Sequence, residues 1–186
     1  IIVQLPLPPH IVVNDVILAI DYRKDVDGFH PYNLGRMFLG YSALYPATPL
    51  GVLSLLKHYQ IELAGQEVVI VGKSNIVGKP MSIMLSNLKA TVTICDNHTP
   101  DLATHTKKAD IIISATGVPH LIDGKMIKRG AVCVDVGFDF DNGVIRGDFE
   151  PVSIAKKAGY YSPVPGGVGP MTVAELCRNV WKAYGG

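Results

Sequence analysis

The chain has 186 residues, 48% of them hydrophobic, with 17 Lys and Arg against 16 Asp and Glu and a formal net charge of +1. That balance leaves no electrostatic footprint for nucleic acid or for an anionic membrane surface, so neither is an expected partner. The mean hydropathy is +0.26, yet no apolar run approaches the roughly 18 residues of a membrane span, which predicts a globular cytoplasmic protein.

Residues 1–5 read as a buried strand that starts without Met and follows no processing signal, which leads us to expect further sequence upstream. The alternating prolines of QLPLP, 4–8, end that strand. Asn14 is placed to cap a short helix reaching about Ile20. The stretch KDVDG, 24–28, then sets Asp25 and Asp27 around a turn; such a pair reads either as turn residues or as chemistry. A short helix over 34–39 follows. In PATPLG, 46–51, Thr48 is the expected N-cap and Pro49 the first helical residue of a helix presenting Val52, Leu55, Leu56 and Tyr59 on one face. This divides the chain into the end of one domain over 1–47, a connecting helix over 48–64, a Rossmann-like domain over 65–165, and a loop with a C-terminal helix over 166–186.

The central stretch is VVIVGKSNIVGKP, 68–80. Four β-branched residues suit a strand buried on both faces, and Met81, Met84, Leu85 and Leu88 recur at helical spacing beyond the turn, with Pro80 near the helix start. The N–H groups of such a helix start, with its partial positive charge, can hold a pyrophosphate. Ser74 and Val77 stand where G-x-G-x-x-G would need glycine, while Gly78 offers close helix packing one residue late. An ordinary strand-to-helix turn is therefore the competing reading.

A second strand over 90–95 ends at Asp96, which is placed either to bond a ribose hydroxyl or to cap the next helix, over 101–107. Strands over 111–115 and 131–136 follow. Gly72, Gly117 and Gly137 each close or follow a strand, and the carboxyl ends of parallel strands form the ligand crevice of such a fold. The fold class is α/β: a Rossmann-like parallel sheet with helices on both faces, preceded by the remnant of a second α/β domain.

Asp141, Asn142 and Gly143 read as a tight turn into a short edge strand ending at Gly147 and Asp148, a part that looks structural. PVPGGVGPMT, 163–172, reads as a loop open to ligand approach at Gly166 and Gly167. Thr172 and Glu175 have capping-box spacing, and Val173, Leu176, Cys177, Val180, Trp181 and Tyr184 form one apolar stripe expected to dock on the core. Cys95, Cys133 and Cys177 show no C-x-x-C spacing and read as buried thiols; the six histidines make no metal-ligand pair, so no metal is assigned.

QLPLP with KDVDG, VGKSNIVGKP and PVPGGVGPMT, in this order and spacing, make the chain similar to the bifunctional methylenetetrahydrofolate dehydrogenase/methenyltetrahydrofolate cyclohydrolase family. The resemblance runs its whole length and begins partway into that family's N-terminal catalytic domain. It implies oxidation of 5,10-methylenetetrahydrofolate with hydride transfer to a nicotinamide, then hydrolysis to 10-formyltetrahydrofolate. By resemblance, Gln4 supports the hydrolytic proton transfer and Asp27 anchors the pterin, both counted as catalytic. Pro165, Gly166 and Gly167 line the folate cleft. Gly72, Lys73, Ser74, Ile76, Asp96, Thr116, Gly117 and Gly137 border the cofactor, and Thr172 lies near the nicotinamide. A homodimer paired through the cofactor domain is the implied assembly. For Gln4, the residues alone suggest a strand-end amide pairing the backbone.

Two departures matter. The family's Tyr-x-x-x-Lys motif occurs nowhere in this chain, so hydrolysis is expected to be lost and oxidation impaired in the visible polypeptide, with both expected in the parent protein. Where many members carry Arg and a His-Ser-basic-Thr run, this chain has Lys73 and Asp96-Asn97-His98-Thr99. Lys73 favours a 2′-phosphate and Asp96 opposes one, giving NADP with NAD as the alternative. A non-catalytic nucleotide-binding or dimerisation module is the competing function for a natively short chain.

Overall fold

The computed structural model describes residues 1–141 and 143–185. Two short helices, Val13–Ala19 (α1) and Pro31–Phe38 (α2), precede the longer Ala47–His58 (α3). Five parallel strands follow: Glu67–Val71 (β1), Thr91–Cys95 (β2), Ile111–Ser114 (β3), Val132–Asp135 (β4) and, after a separate antiparallel hairpin of Phe138–Asp141 (β5) and Val144–Gly147 (β6), Tyr160–Ser162 (β7). Their order in the sheet is β2-β1-β3-β4-β7. The remaining helices are Gly78–Asn87 (α4), Leu102–Thr106 (α5), Pro151–Ala155 (α6) and Val168–Tyr184 (α7).

The continuous apolar runs have a physical cause in two cores, one on each side of the sheet. Val68, Ile70, Ile111, Ile113 and Val134 face Val52 and Leu56 of α3 and Met81, Met84 and Leu85 of α4. Val69, Val71, Ile112 and Cys133 face Ile122, Ile127, Phe149 and Ile154. Alternate residues of the central strands β1, β3 and β4 thus serve opposite layers, which is why those strands are apolar until their ends. The order in which the strands are laid down reverses beside β1, since β2 and β3 flank it on opposite sides. In open parallel sheets, that switch point is where the strand ends part to make a crevice.

Several local expectations are corrected. Residues 1–5 form no strand; Ile1 and Ile2 are exposed, with no strand beside them to satisfy a ladder, and the Ile1 amino group donates to the Lys24 carbonyl at 2.7 Å. Asn14 lies inside α1, which has Val12 at its N-cap and no side-chain cap. α2 begins earlier than expected because His30 Nδ1 accepts from the Tyr32 N–H and Pro31 takes the first helical position. α3 starts at Ala47 behind Pro46 and stops at His58, where Gln60 turns to a φ of +56°. Thr48 therefore sits inside its first turn. The 144–147 strand belongs to the hairpin rather than to an edge of the main sheet, and the 141–143 turn includes Asn142, which lies outside the described residues.

The largest correction concerns α7. Its first turn is Val168–Met171, so the second half of the Pro/Gly-rich stretch is helix rather than loop, and Thr172 and Glu175 are interior rather than a capping box. The apolar stripe faces outward: Val173, Val180, Trp181 and Tyr184 are exposed, as is Cys177, while Cys95 and Cys133 are buried. A polar face docks instead. Gly51 of α3 permits this, because a Cβ there would sit 3.1 Å from the Met171 carbonyl carbon. Glu175 accepts from Ser54 Oγ at 2.6 Å, and Asn179 Nδ2 donates to the carbonyls of Val26 at 2.9 Å and Tyr45 at 2.7 Å. Asn179→Ala removes both latter bonds and strands two carbonyls, so a loss of about 2 kcal/mol is expected in chemical denaturation.

Candidate active site

At the switch point, β1 ends in Gly72 and the chain turns through 73–77 into α4. Gly72 has a φ of +113°, and a Cβ on it would lie 2.4 Å from the Ala115 carbonyl oxygen; one on Gly78 would lie 2.0 Å from the Gly72 carbonyl oxygen. These glycines bring β3, the turn and the start of α4 into backbone contact. Ser74 shapes the turn, its Oγ accepting from the Val77 N–H at 3.1 Å and its carbonyl from the Lys79 N–H at 3.0 Å. Among the described residues, the N–H groups of Lys73, Ser74, Asn75 and Ile76 donate to no protein acceptor. Ser74, Asn75 and Ile76 are also exposed. A row of free donors at a helix start is a cradle for a phosphate group.

Lys73 and Asp96 meet across the ends of β1 and β2, Nζ to Oδ2 at 2.7 Å. Asp96 also accepts from the His98 N–H at 3.0 Å, and the Lys73 hydrogen bond holds its carboxyl below the usual range. The two opposing influences on a 2′-phosphate are thus one ion pair.

The other side of the crevice is organised by two buried carboxylates. Asp148 Oδ2 accepts from Ser114 Oγ at 2.6 Å, the Thr116 N–H at 2.7 Å and Thr116 Oγ1 at 2.8 Å. Asp135, at the end of β4, accepts from the Asp148 N–H at 3.0 Å and the Phe149 N–H at 3.1 Å. Each acid stands against a glycine: a Cβ at Gly137 would lie 2.1 Å from Asp148 Oδ1, and one at Gly147 2.1 Å from Asp135 Oδ2. Burial, with the Asp148 charge adding to it, pushes the Asp135 carboxyl up to about 7. Gly137 thus has a structural reason of its own, and Gly117, with a φ of +70°, carries the turn between Thr116 and Val118.

The expected folate-side residues lie on other elements. Gln4 is exposed and its Nε2 donates to the adjacent Leu5 carbonyl at 3.1 Å. Asp27 is half-buried; its Oδ2 accepts from the Val3 N–H at 3.3 Å, and burial raises its carboxyl above the ordinary value. Leu5 links the two regions, since it lines both a small hollow reaching Asp27 and a cavity of about 550 Å³ reaching Asn75, Ile76 and Lys79. Gly166 (φ +99°) and Gly167 border a different cavity, of about 340 Å³, between α3 and the β4–β7 edge. Pro165 follows a cis peptide bond. Thr172 Oγ1 lies within hydrogen-bond distance of Thr48 Oγ1, at 3.2 Å, and of the Val168 carbonyl, at 3.3 Å, so it is engaged in the α3–α7 contact.

Residues 46–185 match the family described as tetrahydrofolate dehydrogenase/cyclohydrolase, NAD(P)-binding domain. The chain belongs to this family. It is 55% identical over 186 residues to the bifunctional protein FolD of Hydrogenobaculum sp. (strain Y04AAS1), covering 99% of this chain and 67% of that protein. Its identity to the Nautilia profundicola bifunctional protein FolD is 50%, over 98% of this chain and 65% of that one. Among solved structures, the Campylobacter jejuni bifunctional enzyme FolD superposes with a TM-score of 0.95 at 49% identity, covering 97% of this chain and 64% of that one. The Trypanosoma brucei FolD structure, complexed with NADP cofactor and inhibitor, superposes at 0.93 with 37% identity, covering 97% and 65%. The chain thus spans about two thirds of the length of these FolD relatives.

Within this FolD-family domain, sequence reasoning missed Ser114, Asp135 and Asp148. One signal was available. A strand buried on both faces that reads VCVD ends in an acid with nothing in the run to pay for its desolvation, and such an acid requires donors from elsewhere.

Proposed function

We propose that this chain binds NADP at the β1/β3 switch point and supplies one wall of a folate cleft in which 5,10-methylenetetrahydrofolate is oxidised to 5,10-methenyltetrahydrofolate. In the full-length protein, hydrolysis to 10-formyltetrahydrofolate follows. The observation that carries this reading is the row of free N–H groups over 73–76 at the start of α4. When bound, the nicotinamide supplies an acceptor for the hydride of the methylene bridge. The chain's own contribution to that step is orientation, because the folate nitrogens stabilise the cation that forms.

The residues have distinct tasks. The turn amides hold the pyrophosphate, and Gly72 and Gly78 allow β3, the turn and α4 to pack closely enough to keep those amides in place. Thr116, Gly117 and Gly137 border the far half of the cofactor. Asp27, ionised, accepts from the pterin amino and ring N–H groups; Gln4 assists the proton transfer of the hydrolytic step; the Pro165–Gly166–Gly167 segment closes the folate side. No helix among the described residues is long and apolar enough to cross a membrane. The exposed Phe138, Phe140 and Ile145 of the β5–β6 hairpin support a second copy of the chain as partner.

Reduction of NADP and NAD, followed by absorbance with 5,10-methylenetetrahydrofolate as reductant, tests the activity; no reduction of either by the full-length protein refutes it. The Lys73–Asp96 pair sets a further expectation. Asp96→Ser frees Lys73 for a 2′-phosphate and raises the NADP:NAD preference about tenfold, whereas Lys73→Ala lowers it by a similar factor. Equal preferences in all three proteins would remove this pair from cofactor selection.

A further inference from the structure

We propose that Asp148 is a positioning residue for the dinucleotide site, its carboxylate holding the end of β3 in the shape the nicotinamide half of the cofactor requires. This rests on the dinucleotide reading above and goes beyond it. Asp148 is fully buried, and one of its oxygens gathers three donors, the Ser114 hydroxyl and the Thr116 N–H and hydroxyl. Thr116 Oγ1 in turn accepts from the Val118 N–H at 3.1 Å, so the same carboxylate fixes the turn on both sides of Gly117. Its own backbone is pinned, because the Asp148 N–H is held by Asp135 and its carbonyl accepts from the Ile122 N–H at 3.0 Å.

The consequence reaches the crevice wall. Ala115 lies between the two anchored residues, and its carbonyl oxygen is the atom against which Gly72 packs. Release of Thr116 lets Ala115 move toward or away from Gly72, changing the width of the crevice where β1 and β3 part. The other end of the wall is tied as well, since the Val136 and Gly137 N–H groups both donate to the Ser114 carbonyl. With Ser114 held from that side, the Asp148 carboxylate sets the relation of β3 to the turn that follows it.

An asparagine cannot replace it. Asp148 Oδ1 has no hydrogen-bond partner among the described residues and lies against Gly137. An amide nitrogen placed there is a buried donor without an acceptor, and one placed at Oδ2 confronts the Thr116 N–H.

The test titrates the chain with NADPH and separately with ADP, well below the melting temperature, for the wild type, Asp148→Asn and Ser114→Ala. NADPH spans both halves of the crevice, whereas ADP occupies only the Gly72–Asp96 side. The expected result is NADPH affinity lowered tenfold or more in D148N and about threefold in S114A, which removes one donor to the carboxylate without touching a residue that borders the cofactor, with unchanged ADP affinity throughout. A carboxylate serving only stability would leave NADPH affinity intact, or lower both ligands together; either outcome overturns the proposal. Should D148N fail to fold, S114A decides alone, and unchanged NADPH binding by it refutes the role. Binding of neither ligand by the folded wild type removes the dinucleotide reading itself, and this inference with it.

Discussion

Gly78→Ala is expected to abolish detectable NADP binding and to lower the melting temperature by roughly 10 °C. The added Cβ would fall 2.0 Å from the Gly72 carbonyl oxygen and 3.1 Å from the Lys73 Cα, both backbone atoms that no rotamer change can move aside. Either α4 shifts outward or the turn over 73–77 opens. A shift of α4 tears at Met81, Met84 and Leu85, which are buried against β1 and β3, at a cost of order 4 kcal/mol. For a chain of this size each kcal/mol moves the midpoint by about 2–4 °C, which gives the stated loss. The control is Gly35→Ala, inside α2, where an added Cβ meets nothing within 4 Å. That substitution is expected to leave the midpoint unchanged or raise it by up to about 1 kcal/mol in helix propensity. Differential scanning calorimetry of both variants separates close approach from a general intolerance of substitution.

Stability should fall as pH rises through the window that Asp135 spans. Its carboxyl, raised to about 7 in the folded chain by burial first and the Asp148 charge second, titrates near 3.9 when unfolded. Between those values the native state holds a proton the unfolded state has released, so the slope is negative, at most about 1.4 kcal/mol per pH unit, and vanishes above the folded value. Cys133 and Tyr161 face the same carboxylate and are themselves pushed up to about 12, so neither titrates within the window. Asp96, Asp101, Asp110 and Glu150 act oppositely: their carboxyls are lowered by hydrogen bonds, and their contribution is lost as pH falls through the acid range. Maximum stability is therefore expected on the acid side of neutrality. Urea midpoints from pH 4 to 9 should decline toward neutrality in the wild type and decline much less in Asp135→Asn, where the Asp27 carboxyl, also raised by burial, still acts in the same direction. A wild-type midpoint constant from pH 5 to 8 would contradict the assignment.

The legibility of the fold follows from how local its causes are. β1, β3 and β4 could be read because each is an apolar run serving two cores, β2 because its residues are mostly β-branched, and α4 because its apolar period matches a helix. β7 escaped notice because three residues give no pattern to read, and Tyr160 is exposed. α7 was legible as a helix but not in its orientation. Its apolar stripe would dock by hydrophobicity alone, yet the close approach at Gly51 and the bonds of Glu175 and Asn179 turn the polar face inward. No local pattern encodes that choice, because the partners lie more than a hundred residues away in Ser54, Val26 and Tyr45.

The site divides in the same way. Gly72, Ser74 and Gly78 lie within one strand-turn-helix unit, and their spacing foretells the close contacts they make. The acid pair is different in kind, since Asp135 and Asp148 meet only after the β5–β6 hairpin returns the chain to the sheet. Gly137 could be read as a glycine near a ligand; that it also makes room for a carboxylate needed the partner strand to be in place.

The crystal structure of the chain with NADP is the most direct measurement of the central claim. The pyrophosphate is expected against the N–H groups of residues 73–76 at the start of α4, with the nicotinamide half toward Thr116 and Gly137. Density for the cofactor elsewhere, as in the cavity beneath α3 lined by Leu55, Tyr59 and Tyr160, would contradict it.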